Sequence, residues 1–171
     1  MITGISYAEA YPLVRGGGLF LAIVGAGILV GGAVPRARGA ALAVSAFVAA
    51  VLTTLLARQL AAPFGVPTAL QVWSLAGAVA LEGLLIPLVV RRFRPQGLRA
   101  VTLAVMLVVG VHFLPMALAF GPALVILALL VCLLSISGFL LPRVPLDVLW
   151  GFDGLAKLTV GAVMWATGVQ W

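Results

Sequence analysis

Apolar residues in this chain do not alternate with polar ones at a short period; they continue for about twenty positions at a time. Six such runs stand out, at about 16–34, 40–61, 69–90, 99–119, 122–141 and 146–168. Wound at 1.5 Å per residue, each matches the roughly 30 Å hydrocarbon core of a bilayer. All are too long for tilted barrel strands, and a helix satisfies its own backbone where no water can. The pattern predicts an all-α polytopic integral membrane protein, six transmembrane helices in one bundle, with 1–171 as a single transmembrane domain.

The connections carry the expected punctuation. Pro35, Pro63, Pro67, Pro95, Pro122, Pro142 and Pro145 all fall between runs, where a missing N–H costs little. Thr68 and Gln71 have the spacing of a capping box opening the third helix. Composition agrees with the pattern: 64% of residues are hydrophobic, 8% are charged and the mean hydropathy is +1.30, which leaves little for a soluble domain.

Arginine sets the expected orientation, because short loops rich in Lys and Arg stay on the cytoplasmic side. Arg36 and Arg38, then Arg91, Arg92, Arg94 and Arg99, then Arg143 follow the first, third and fifth runs, whereas the other side has only Arg15 and Arg58. Both termini are therefore expected outside, in a cytoplasmic (inner) membrane. An outer belt of Tyr7, Tyr11, Trp73, Trp165 and Trp171, with Trp150 near the inner boundary, agrees.

Topology also explains the net charge of +6 and pI near 11.2 without a nucleic-acid partner. Membrane lipid is the expected partner, with the "RRFRPQGLR" loop suited to anionic headgroups. The first fifteen residues lack the basic start of a cleavable signal, so the first helix reads as an anchor. Cys132, the single cysteine, reads as a small buried apolar residue.

Glycine recurs every seven residues in the first and last runs, at Gly18, Gly25 and Gly32 and at Gly154, Gly161 and Gly168. Such a stripe stays on one face and admits another backbone. Gly27 and Gly31 form a GxxxG pair that can serve internal packing or a homodimer seam.

Candidate chemistry is confined to four ionisable residues deep inside the runs, Glu82, His112, Asp153 and Lys157, since Arg58 lies close enough to the outer end of its run to snorkel to the headgroups. Each costs roughly 2.5–3.5 kcal/mol at a helix centre, which makes a functional site the default reading. Counting along the helices puts Asp153 about 10 Å, Glu82 about 13 Å, Lys157 about 16 Å and His112 about 20 Å from the cytoplasmic face. Asp153 and Lys157, four apart with the acid first, can neutralise each other on one helical face. Glu82 then leaves an excess carboxylate within reach of Lys157, suited to exchanging a proton, and His112 can extend a path outward from it.

Pro87 and Pro115 each follow an ionisable residue, in "EGLLIP" and "HFLP". They kink the helices beside the site and free the carbonyls of Gly83 and Val111. Freed carbonyls are tolerated where they face protein or a wet cavity, as in broken transporter helices.

The His112–Pro115 stretch "HFLP", set in residues 70–122, resembles uncharacterised small multi-pass bacterial membrane families. That resemblance implies a membrane bundle and no particular activity. In size and helix number the chain also resembles the substrate-binding membrane subunits of vitamin-uptake systems, which usually keep the N-terminus inside, against the charge pattern here.

The expected function is proton- or ion-linked transport or binding of a small solute, by a monomer or homodimer. Two alternatives remain: a structural or regulatory membrane protein whose charges fix helix register, and a membrane-embedded enzyme using Glu82 and Asp153 on a lipid-linked substrate. No metal cluster, cofactor motif or catalytic constellation is discernible, and Ser135 and Ser137 have no neighbouring base in sequence.

Overall fold

The computed structural model describes residues 7–61 and 65–167; Pro63, Gly168 and Trp171 lie outside them. After a one-turn helix α1 (Tyr7–Ala10) come α2 (Val14–Ala33), α3 (Arg38–Leu55), the short α4 (Ala57–Ala61), α5 (Ala69–Phe93), α6 (Leu98–Phe120), α7 (Ala123–Leu140) and α8 (Leu146–Thr167). Among the described residues there is no strand. Five helices, α2, α3, α5, α6 and α7, are long and apolar enough to cross a membrane. At 22 residues α8 has the length, but Asp147, Asp153 and Lys157 make it more polar.

The run expected at 40–61 is not one helix. It stops at Leu55 and resumes as α4 after Leu56. Thr53 Oγ1 donates to the carbonyls of Ala49 and Ala50 just before the break, the local bonding that competes with a helix's own ladder. The third run continues past 90 to Phe93, because Arg91 and Arg92 have good helix propensity and Pro95 comes only later. It opens on Thr68, which accepts from Gln71 N–H while the Gln71 side chain accepts from Thr68 N–H: a reciprocal capping box.

The long helices pack in the order α3, α2, α8, α7, α6, α5, and among the described residues α3 and α5 make no packed seam with each other. The bundle is thus an open ring. Its tightest seam joins α2 to α8, antiparallel. A Cβ added at Gly18 would lie 2.7 Å from the Gly161 carbonyl oxygen, one at Gly161 would lie 2.5 Å from Ala22 N, and one at Gly154 would lie 3.0 Å from the Gly25 oxygen. The two seven-residue stripes are therefore each other's partner at Gly18 with Gly161 and Gly25 with Gly154, while Gly32 faces Trp150. Gly27 backs onto Ser45 and Gly31 onto Arg38, so the GxxxG pair is used within the chain.

Polar bonds tie the ends. At one end Arg99 donates to the carbonyls of Gly138 and Val144, both at 2.8 Å, and of Leu141, supplying partners for the open end of α7. There too Arg38 pairs with Asp147 and donates to the Gly31 carbonyl, and Trp150 Nε1 donates to the Ile28 carbonyl at 2.8 Å. At the other end Gln71 donates to the Ala10 carbonyl, and Tyr7 to that of Phe120.

A buried ion pair and a carboxylate–histidine contact on one cavity

Helix α8 sets the first half of the site. Its four-residue spacing stacks Lys157 over Asp153, and Lys157 Nζ donates to Asp153 Oδ1. Both residues are only 3% exposed. Burial of two charges at this depth is tolerable because each has its partner on the same helix, so the pair needs no other helix to neutralise it. Lys157 Nζ also lies 5.8 Å from the centre of the Phe113 ring on α6, within cation–π range.

Helices α5 and α6 make the second half. His112 Nδ1 lies 2.6 Å from the Val109 carbonyl oxygen one turn back, and His112 Nε2 lies 3.3 Å from Glu82 Oε2. A carbonyl only accepts, so Nδ1 carries the hydrogen there and Nε2 is the nitrogen presented to the carboxylate. Two acceptors facing at that separation repel. The contact is attractive when one proton lies between them, on Nε2 or on Glu82.

All four ionisable residues border one cavity of about 720 Å³, within the ordinary range for small-molecule sites. Its wall runs from Leu13 to Ile28 along α2 and from Trp150 to Met164 along α8. At 1.5 Å per residue that is a length of about 22 Å. Apolar side chains of α3 and α5, among them Leu42, Ala46, Val79 and Ile86, line it as well, so the cavity reaches the gap in the ring. Among the described residues no three His, Cys, Asp or Glu side chains group as a metal site would require.

Lys157 pairs with Asp153, as their four-residue spacing leads one to expect, and no ion pair joins it to Glu82; what differs from the sequence reading is His112, which lies beside Glu82 and not beyond it. The depth count erred because α5 extends to Phe93. Glu82 then stands eleven residues from that end of α5, about 16 Å, and His112 fourteen from the start of α6, about 21 Å. Two long side chains span the remainder.

Pro87 and Pro115 lie inside continuous helices, and neither Gly83 nor Val111, whose carbonyls those prolines free, belongs to the cavity wall. Cys132 is half-buried and its sulfur packs at Gly110, in the α6–α7 seam. Phe113, standing by both His112 and Lys157, was missed from the sequence. Its adjacency to the lone histidine was the available signal.

A model built for a family of unknown function matches residues 5–170. The chain belongs to that family, DUF6609. No curated protein and no solved structure matches this DUF6609 member significantly. Its chemistry therefore has to be argued from the cavity and the two charge pairs alone.

Proposed function

We propose that this DUF6609 member is a six-span protein of the cytoplasmic membrane, with both termini outside, that binds a small solute in the cavity and couples its binding or movement to a proton held by Glu82 and His112. The observation that carries this reading is the convergence of Glu82, His112, Asp153 and Lys157, the ionisable residues deep within the long segments, on one cavity of about 720 Å³. Such residues are expensive in a bilayer and mark ion and proton paths. Glu82 is the accessible one, its side chain 28% exposed, and a proton between it and His112 would be the one free to leave.

Support for a sixth span comes from α8, which at 22 residues is about 33 Å long and packs along α2. Support for the orientation comes from the arginine-rich connections gathered at one end, where Arg38 pairs with Asp147 and Arg99 holds the turn at Val144. A structural role suits the Asp153–Lys157 pair specifically, because each member is buried and already neutralised by the other.

Proton flux into proteoliposomes carrying an internal pH dye tests the reading, under an imposed pH gradient and membrane potential. Wild-type flux that Glu82→Gln removes, with the fold retained, is the expected result. Absence of flux and of any solute-dependent proton exchange in wild type overturns it.

A further inference from the structure

The Glu82–His112 contact fixes a charge count for the whole cavity. Asp153 and Lys157 cancel, so with the shared proton present the four groups sum to zero, and without it they sum to minus one. No ionisable side chain of α2, α3, α4 or α7 belongs to the cavity wall, so nothing else there compensates. An unpaired negative charge among apolar walls is costly, and at 3.3 Å the bare carboxylate also faces the Nε2 lone pair. One positive charge restores neutrality, delivered either by a proton, which also bridges Nε2 and the carboxylate, or by a monovalent cation that sits against the carboxylate's open side.

The walls select the kind of cation. Apart from the four charged groups they offer few polar atoms, chiefly the hydroxyls of Thr53 and Thr102, far short of the six or more oxygens a hard metal ion collects. They do offer aromatic rings at Phe20, Phe120 and Trp150, and flexible thioethers at Met106, Met116 and Met164. Aromatic faces attract organic cations, and methionine adapts to varied apolar shapes. The gap between α3 and α5 opens the cavity sideways, on the route by which an amphiphile dissolved in the bilayer would reach it.

We infer that the cavity takes a lipophilic organic monocation, which binds beside Glu82 in exchange for the proton shared with His112. The inference rests on the proton-linked reading above and names its substrate class. The exchange balances: one cation enters, one proton leaves, and the four-group cavity plus its occupant is neutral before and after. Lys157 repels a cation from the Asp153 side, which leaves Glu82 as the anchoring carboxylate.

Tetraphenylphosphonium is the probe, with tetraphenylborate as an anion of the same shape, both added to the full-length protein in detergent and weak buffer containing a pH dye. Phosphonium binding is expected to release about one proton per cation bound, and its affinity to fall up to tenfold per pH unit as the pH drops through the titration of the pair, by the reciprocity of linked binding. Glu82→Gln should weaken phosphonium binding at least tenfold and abolish the release, and Glu82→Asp should restore the release.

Borate binding as tight as phosphonium, with no protons exchanged, overturns the inference. Borate preferred with proton uptake also overturns it, yet leaves proton-linked binding standing. If neither ion binds, the cation assignment falls, and proteoliposome flux separately decides the broader reading. If Glu82→Gln fails to fold, the wild-type proton count decides, and release well below one proton per bound cation is the overturning result.

Discussion

The α2–α8 seam and the α3–α5 gap are opposite solutions to the same apolar composition. Along the seam, glycines meet backbone to backbone and α2 buries Val14, Gly18, Leu21, Val24, Gly25, Ile28 and Gly31, a stripe at intervals of three and four. Flanking the gap, α3 buries only Ser45 and Ala49, and α5 only Gln71 and Ala78. Yet the paired charges are divided between the two regions: the sealed pair on α8, the accessible Glu82 on α5. Lipid gives no hydrophobic reward for bringing helices together, so close approach has to be built from small residues, and where it is not built the helices stand apart. Small residues alone do not make a seam, however: Gly39 on α3 and Gly77 and Gly83 on α5 have nothing within 4 Å of an added Cβ.

The comparison breaks most readily at Lys157. Lys157→Met leaves Asp153 buried and unpaired and should cost about 3–5 kcal/mol in denaturant unfolding from detergent, while Asp153→Asn combined with Lys157→Met should recover most of that loss. Next comes Gly161→Val, whose Cβ would lie 2.5 Å from Ala22 N and 2.7 Å from the Gly18 oxygen. Backbone does not yield as a side-chain tip does, so a loss at or above the usual 1–3 kcal/mol for overpacking is expected in the same measurement. Equal stability in either protein would mean that the seam is not the rigid part.

Changes on the gap side should be small and differ in kind. Glu82→Gln keeps the side chain's size and should shift stability by less than about 1 kcal/mol, as expected for one hydrogen bond, while removing proton exchange. Gly77, on the exposed face of α5, has nothing within 4 Å of an added Cβ. Gly77→Ala should leave thermal unfolding unchanged or raise stability by about 0.5–1 kcal/mol through helix propensity. A loss on the scale of Gly161→Val would show that α5 is as tightly held as α8.

The helical class and most element ends were legible because run length, proline and capping chemistry are local signals. Thr68 with Gln71 is the clearest case, since both halves of the cap lie within four residues. The break at Leu56 was missed because its only local sign, the β-branched pair Thr53 and Thr54, is weak beside the apolar run that continues through it.

At the site, the Asp153–Lys157 pair was legible as an i,i+4 pattern. The Glu82–His112 contact was not, because it depends on how far α5 extends and on which helices share a wall. The cavity itself was invisible for the same reason. It exists where α3 and α5 fail to meet, and a missing contact leaves no mark on either helix.

Helix α8 carries a final consequence, for biogenesis. It is more polar than the other long helices, and it follows all of them in chain order among the described residues. The helix whose glycines receive it, α2, is the first long one to emerge, more than a hundred residues earlier. Chain order thus puts a glycine-lined docking face in place well before the charged helix arrives, so a nascent chain lacking that face should stall or be degraded when α8 emerges.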